Sequence, residues 1–209
     1  MIAILDYDAG NIKSVEKALV YLGQEARITR DRDEILASDR VVLPGVGSFG
    51  DAMSKIKEYK LEQVIYDVID KKVPFLGICL GLQLLFESSD ESKGVSGLGI
   101  LKGTINRIPE QEGLKIPHMG WNSLKMKENA KLFQGIEQDS YVYFVHSYYL
   151  KAACEGDVVA TTYYSTLIDA SVEHDNVFAC QFHPEKSGDV GLKILKNFIE
   201  IPSPAKEVM

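Results

Sequence analysis

Apolar and polar positions follow two different periods in the first half of the chain. The run "IAILD" (2–6) predicts a short strand that ends in the turn-rich stretch "YDAGN". After Asn11, apolar residues recur at helical spacing until Gly23 provides a stop. "EARIT" and "RVVLPG" predict further strands, and an amphipathic helix over 61–72 leads into the strand "VPFLGIC". Strands alternating with helices predict a mostly parallel, doubly wound central sheet that is covered on both faces.

The second half, from about Gly97 to Cys180, is rich in strand-forming residues. "LGILKGTINRI", "YVYFVHSYYL", "DVVATTYY" and "NVFACQF" contain many β-branched and aromatic side chains. The helical stretch "DVGLKILKNFIE" closes the fold, and no repeat or linker divides the chain. We therefore predict an α/β fold with an antiparallel, strand-rich addition in the second half. It forms a single domain over residues 1–200, followed by a loose tail over 201–209.

Charge and hydropathy limit the classes of partner. The formal net charge is −7, whereas nucleic acids and anionic membranes both attract a basic face. No apolar run reaches transmembrane length, and the start of the chain lacks the basic region of a signal peptide. We therefore expect no nucleic-acid partner and no membrane partner.

The three cysteines are too few and too scattered for a disulfide framework or a metal-binding pair. They are Cys79, Cys154 and Cys180. We expect free thiols in a reducing cytoplasm, no metal site and no cofactor.

One cysteine lies in a sequence that is typical of a nucleophile. Cys79 is the centre of "GICLG", which follows a predicted strand and precedes a predicted helix. This is the form of a nucleophile elbow, in which flanking glycines allow strand and helix to approach each other. The helix N-terminus would also favour a thiolate. The alternative is that Cys79 is a small buried packing residue.

A thiol nucleophile needs a base, and the chain has four histidines: His118, His146, His174 and His183. His183 and Glu185 lie two residues apart in "FHPEKSG", so an extended backbone would place both side chains on one face. Pro184 between them indicates a strand end or edge. A histidine after a strand is often structural, and we interpret His174 as a surface residue. Cys154 and Cys180 are interpreted as packing residues.

The glycine-rich loop "LPGVGSFGDAM" (43–53) also follows a predicted strand. Such a loop presents backbone N–H groups to an anion, although it could instead be a flexible turn. Together with the N–H of Leu80, an N–H near Val46 or Gly47 would form an oxyanion hole beside Cys79.

These motifs carry a family resemblance. "GICLGLQLLFE", "LPGVGSFG" and "FHPEKSG" together resemble the triad, or class I, glutamine amidotransferases. "DYDAGNIKSVEKAL", "IPHMGWN" and "YFVHSYY" are similar, more narrowly, to the glutaminase subunits of imidazole glycerol phosphate synthases. The resemblance spans Met1 to about Phe198 and implies a flavodoxin-like sheet.

The resemblance implies roles for individual residues. Cys79 would attack the side-chain amide of glutamine, His183 would transfer the proton and Glu185 would orient His183. A γ-glutamyl thioester would form with release of ammonia. The positions that match the family's substrate-binding residues are Gly47, Gln83, Glu91, Ser147 and Tyr148. For Gln83, the residue pattern alone favours an exposed helix position.

The resemblance also implies a partner. A separate (β/α)8-barrel cyclase subunit would receive the ammonia and form imidazole glycerol phosphate and an aminoimidazole carboxamide ribotide (AICAR) in histidine biosynthesis. Trp121, Tyr143 and Lys186 match positions at that heterodimer interface, while core packing is the alternative for the two aromatics.

Two other functions stay open at this point. The chain could supply ammonia to a different acceptor, for example in a sugar-modifying amidotransferase. It could also be a non-catalytic α/β binding protein whose Cys79 is merely redox-sensitive.

Overall fold

The computed structural model describes residues 1–204, which form an α/β fold as the sequence predicts. The helices of this part of the chain are α1 (Ile12–Tyr21), α2 (Arg32–Leu36), α3 (Phe49–Glu58), α4 (Leu61–Asp70), α5 (Leu80–Leu84) and α6 (Gly188–Glu200). The strands are β1 (Ile2–Leu5), β2 (Ala26–Thr29), β3 (Arg40–Leu43), β4 (Phe75–Ile78), β5 (Ser88–Ser89), β6 (Gly103–Arg107), β7 (His118–Ser123), β8 (Lys125–Met126), β9 (Tyr141–His146), β10 (Tyr148–Ala152), β11 (Val158–Tyr164), β12 (Thr166–His174) and β13 (Val177–Cys180).

The central sheet has the strand order β2-β1-β3-β4-β13-β12-β11-β8. Its first five strands are parallel, and the last three continue it in antiparallel fashion. Two smaller sheets flank it: β10-β6-β5, and an antiparallel two-stranded ribbon of β7 and β9. The mostly parallel sheet and the antiparallel addition are both confirmed.

The four inner parallel strands, β1, β3, β4 and β13, supply side chains to two separate cores. In β1, Ala3 and Leu5 face one core while Ile2 and Ile4 face the other, because successive side chains of a strand point to opposite faces. The first core includes apolar residues of α3, α4, β6 and β10, and the second includes those of α1, α6 and β9. The uninterrupted apolar runs of the sequence follow from burial on both faces.

Three neighbouring strands end at the same edge of the sheet and carry the predicted motifs there. The glycine-rich loop follows β3, Cys79 follows β4, and the segment with His183 follows β13. The N–H of Cys79 donates to the carbonyl of Cys180 over 2.8 Å, which ties the ends of β4 and β13 together. The carboxyl ends of parallel strands are where α/β sheets place their sites, and this edge is the candidate here.

Two predicted boundaries differ from the structure. The predicted strand "NVFACQF" ends at Cys180, because the N–H of His183 leaves the sheet and donates to the carbonyl of Tyr143 on the ribbon, over 2.9 Å. The start of the tail predicted to be loose is held against the domain: the guanidinium of Arg40 donates to the carbonyls of Phe198 and Ile201, and Ser203 is buried. The rest of that predicted tail, 205–209, lies outside the described residues.

Candidate active site

Cys79 lies in a sharp turn between β4 and α5. Its backbone has φ 55° and ψ −108°, a conformation that L-residues rarely adopt and that costs about 1–3 kcal/mol. Gly77 and Gly81 make the turn possible: a Cβ on Gly81 would lie 1.9 Å from the carbonyl oxygen of Leu43, and one on Gly77 would lie 2.8 Å from the carbonyl oxygen of Gly81. The flanking glycines therefore let α5 press against β3 and β4, as the elbow requires.

His183 and Glu185 form a buried pair. Nδ1 of His183 lies 2.8 Å from Oε1 of Glu185, and each side chain is 1% exposed. The contact is not made along an extended strand: the backbone is extended at His183 and then enters a 3-10 turn over Pro184–Lys186. Ser187 holds this turn, because its Oγ donates to the carbonyl of His183 over 2.6 Å.

The surroundings of His183 favour its protonated form. Burial lowers the pKa of His183, but the interactions with Cys79 and Glu185 raise it by more than burial lowers it. The resulting pKa is about 9. Within residues 1–204, Nε2 of His183 has no hydrogen-bond partner, so this nitrogen is free to give or take a proton. An imidazolium beside a cysteine favours the thiolate.

Cys79 and His183 open into a cavity of about 310 Å³. The sequence-predicted residues that line it are Val46, Gly47, Cys79, Leu80, Gln83, Glu91, Ser147, Tyr148 and His183. Glu185 lies behind His183 and does not line this cavity. The structure thus brings together every residue predicted for catalysis, for the oxyanion hole and for substrate binding. Their individual roles remain proposals.

The predicted oxyanion donors have no competing partners. Among the hydrogen bonds of residues 1–204, none uses the N–H of Val46, Gly47 or Leu80. The loop is fixed at its start by Tyr7, whose hydroxyl donates to the carbonyl of Pro44 over 2.7 Å. Gly47 has φ 101°, a left-handed conformation that favours glycine.

Gln83 and Glu91 are held in place by neighbouring backbone. Gln83 is buried rather than exposed on its helix, and its Nε2 donates to the carbonyl of Tyr148 over 3.0 Å. The expectation from the residue pattern alone was wrong, because α5 lies between the central sheet and the smaller sheet that contains β10. Glu91 accepts from the N–H of Phe49, over 2.7 Å, at the start of α3, where the helix dipole favours a carboxylate.

Two buried histidines adjoin the cavity. Nδ1 of His118 lies 3.0 Å from Nε2 of His146, and Nδ1 of His146 lies 2.8 Å from the carbonyl oxygen of Tyr148. Burial lowers the pKa of His118 to about 4 and that of His146 to about 3, so both are neutral near pH 7. Stacking of His118 between Phe144 and Tyr164 fixes its ring. The sequence indicated both histidines only as candidate bases and did not reveal this pair, because the two residues are 28 positions apart.

The other two cysteines differ from Cys79. Cys180 is fully buried as predicted, and burial raises the pKa of its thiol well above the ordinary value. The interpretation of Cys154 as a packing residue was wrong: it is exposed in the turn between β10 and β11. His174 is exposed, as predicted. Among the described residues, no group of three His, Cys, Asp or Glu side chains could hold a metal ion.

A larger cleft lies elsewhere. It has a volume of about 700 Å³ between β8, β10, β11 and β12, and it contains none of the predicted site residues. Its lining contains no cysteine and no histidine, so the smaller cavity is the candidate active site.

The residues predicted for a partner interface lie on a surface next to the cavity. Trp121 is 55% exposed on β7, faces Tyr143 on β9, and packs edge to face against its ring with centroids 6.1 Å apart. Core packing is thereby excluded for Trp121. Lys186 lies on the 3-10 turn beside Glu185. None of the three lines the cavity.

Comparisons with known proteins agree with this geometry. The family model of "Glutamine amidotransferase class-I" matches residues 3–201. This chain belongs to the class I glutamine amidotransferases. It is 50% identical, over 96% of its length and 100% of the relative, to the imidazole glycerol phosphate synthase subunit HisH of Methanocaldococcus jannaschii. It is also 51% identical to the subunit of the same name from Bacillus cereus, over 95% of this chain and 93% of the relative.

A solved structure confirms the fold. The chain superposes on a crystal structure of a glutamine amidotransferase with a TM-score of 0.73 and 21% identity, covering 94% of this chain and 98% of the other. Within residues 1–204, no helix is long and apolar enough to cross a membrane.

The close approach at Gly81 generates a stability prediction. Gly81→Ala forces a methyl group into the Leu43 carbonyl, so we expect the free energy of unfolding to fall by about 3 kcal/mol or more in urea titrations. In the control Gly156→Ala, the new Cβ lies at an ordinary 3.5 Å from Cys154 Sγ, and we expect a change within about 0.5 kcal/mol. Equal stability of Gly81→Ala and the wild type would contradict the account of the elbow.

Proposed function

We infer that this chain hydrolyses L-glutamine to glutamate and ammonia through a thioester on Cys79. The proposal rests on one observation. Cys79, in its elbow, and His183 line the same cavity, and Glu185 is hydrogen-bonded to Nδ1 of His183. Membership of the class I glutamine amidotransferases supports glutamine as the substrate. Val46, Gly47 and Leu80 line the same cavity, and their N–H groups are the oxyanion donors that acyl transfer needs.

In the first half of the reaction, the thiolate of Cys79 attacks the side-chain amide carbon of glutamine. The developing oxyanion is stabilised by the N–H groups of Leu80 and of Val46 or Gly47. His183, protonated at Nε2, transfers its proton to the departing nitrogen, so ammonia leaves and a γ-glutamyl thioester remains. Glu185 holds the imidazole through Nδ1 and stabilises its positive charge.

In the second half, the neutral His183 takes a proton from water, and the resulting hydroxide attacks the thioester. The second tetrahedral intermediate expels the thiolate of Cys79, and the new γ-carboxylic acid loses its proton to solvent as glutamate leaves, which restores the starting ion pair. Gln83, Glu91, Gly47, Ser147 and Tyr148 surround the cavity where the amino-acid end of glutamine would bind. Glu91 supplies the negative charge that an α-ammonium group requires.

We further propose that the chain is the glutaminase subunit of an imidazole glycerol phosphate synthase, acting in a reducing cytoplasm. HisH relatives at about 50% identity over nearly their full length support this assignment above an amidotransferase with another acceptor. The partner would be a (β/α)8-barrel cyclase that consumes the ammonia to form imidazole glycerol phosphate and AICAR in histidine biosynthesis. The proposed reaction requires no metal and no cofactor in this subunit.

The ribbon of β7 and β9 is the surface we propose for that partner. It exposes Trp121, and the backbone of Tyr143 beneath it is bonded to the catalytic segment on both sides: its carbonyl accepts from the N–H of His183, and its N–H donates to Ser187 Oγ over 2.9 Å. Lys186 adds a cation at the edge of this surface. A partner on the ribbon would therefore contact the strand that holds His183.

The nucleophile is tested by substitution. Cys79→Ala should abolish glutamine hydrolysis, measured as glutamate formed with the cyclase subunit present. Glu185→Gln should slow it on the order of 10²–10⁴-fold, because a neutral amide stabilises an imidazolium less than a carboxylate does. The control Cys154→Ala changes an exposed thiol that does not line the cavity and should retain wild-type activity. Hydrolysis by Cys79→Ala at the wild-type rate would refute the proposed reaction.

The docking surface is tested by a second pair of variants. Trp121→Ala should weaken binding of the cyclase, since large aromatics at interfaces often contribute about 2 kcal/mol or more. It should also raise the ratio of glutamate formed to imidazole glycerol phosphate formed. The control Tyr21→Ala removes an aromatic that is 77% exposed at the end of α1, off the ribbon, and should change neither quantity.

Ammonium salt separates docking from ammonia supply. A complex carrying Cys79→Ala should still form product when ammonium is added, with a rate that rises with pH as free NH₃ increases.

Unchanged affinity of Trp121→Ala for the cyclase would remove the ribbon from the interface without affecting the assignment of Cys79.

A further inference from the structure

A buried amide contacts the sulfur of Cys79. Gln181 is 0% exposed and follows β13, where its N–H donates to the carbonyl of Ala170 over 2.8 Å. Its Nε2 lies 3.7 Å from Sγ of Cys79, and its Oε1 accepts from Nε2 of Gln83 over 3.0 Å. Gln181 does not line the cavity, so it contacts the reacting sulfur without contacting the space for substrate.

The hydrogen-bond network fixes which end of the Gln181 amide faces the sulfur. The carbonyl of Tyr148 can only accept, so the group of Gln83 that faces it must be the NH₂. That same NH₂ faces Gln181, which must therefore present its oxygen to Gln83. The NH₂ of Gln181 is then left pointing at Cys79.

A second chain of bonds meets the same carbonyl and agrees with this assignment. Because the Tyr148 carbonyl accepts from Nδ1 of His146, the Nε2 of the neutral His146 must accept from His118. His118 in turn can accept from the side-chain NH₂ of Asn122, which also donates to the carbonyl of Tyr163. The Tyr148 carbonyl therefore accepts from both His146 and Gln83, and each donor between Asn122 and the Cys79 sulfur has a matching acceptor.

We propose that Gln181 is a dedicated hydrogen-bond donor to the Cys79 thiolate, held in that orientation by Gln83. The inference rests on the proposed role of Cys79 as the nucleophile. In its thiol form Cys79 donates through Sγ to the carbonyl of Val145 over 4.0 Å, and once the proton has left, that carbonyl oxygen disfavours the negative charge of the thiolate. The NH₂ of Gln181 counteracts the unfavourable effect of that carbonyl on the thiolate charge. It also holds the sulfur in place between catalytic cycles.

The other titratable groups around the sulfur do not replace this donor. His183 supplies the positive charge, with Glu185 behind it. Tyr7 and Cys180 are neutral, because burial raises the pKa of each and the charge of Cys79 raises it further, with Glu185 also acting on Cys180. Neither donates a hydrogen bond to Cys79: the Tyr7 hydroxyl donates to Pro44 and the Cys180 thiol to the carbonyl of Phe182.

The test is the pH dependence of alkylation by iodoacetamide, followed site by site by mass spectrometry. In Gln181→Met, which keeps the side-chain volume and loses the donor, the midpoint pH for Cys79 should rise by about one unit, a roughly tenfold loss of thiolate at a given pH below it. Gln181→Glu should raise the midpoint further, since a carboxylate cannot donate and repels the thiolate. Gln83→Met, which frees the amide to turn, should raise it by less.

Two controls separate this role from general damage to the fold. Exposed Cys154 in the same samples should keep its midpoint in every variant. Asn197→Leu removes another buried amide, one that donates to the carbonyls of Leu132 and Gln134 away from the site, and should leave the Cys79 midpoint unchanged whatever its effect on stability. In glutamine hydrolysis, Gln181→Met should lower kcat with little change in KM.

The possible failures are distinguishable. If Cys79 reacts no faster than Cys154 in the wild type near neutral pH, the proposed nucleophile itself is wrong. If Cys79 is activated in the wild type but keeps the same midpoint and kcat in Gln181→Met and Gln181→Glu, the Gln181 inference is overturned and the proposed function stands.

Discussion

The close approach of helix α5 to strand β3 is the constraint on which the candidate site depends. Gly81 packs directly on the carbonyl of Leu43, and only a residue without Cβ fits there. This packing holds Cys79 at φ 55° in a conformation that the isolated peptide would avoid. The surrounding sheet therefore sustains the strain, and Cys79 lines a cavity, whereas Cys180 does not.

The second constraint is the adjacency of β4 and β13 in the sheet. It places the two ends that carry Cys79 and His183 side by side, although they are about half the chain apart in sequence. The ribbon strand β9 then fixes the segment after β13 through backbone hydrogen bonds of Tyr143. The surface proposed for a partner and the proposed base are thus joined by hydrogen bonds of the Tyr143 backbone, which offers a short physical route for coupling the two.

The sequence predicted the local features of the site and missed most of the non-local ones. Gly77 and Gly81 marked the elbow, and Pro184 marked a strand end, because glycine permits close approaches that a Cβ forbids and proline restricts the backbone wherever it occurs. Gln83 was expected on a surface because its neighbours on the chain do not reveal that the small sheet covers α5. The exposure of Cys154 and the 3-10 turn after His183 likewise depend on which elements pack opposite. A polar residue inside the apolar run "ACQF" was the available indication that Gln181 has a specific partner.

Cys79 and His183 are proposed to form a charged pair supported by Glu185, and this pair can be tested in the free subunit. The most direct measurement is the pH titration of the His183 imidazole by ¹⁵N NMR, with His183→Gln providing the assignment. We predict a pKa of about 9 in the wild type, because the interactions with Cys79 and Glu185 outweigh burial. In Cys79→Ala the pKa of His183 should fall, since one of the two partners that oppose burial is removed. A pKa of His183 at or below its ordinary value of about 6.5, unchanged by Cys79→Ala, would contradict the claim.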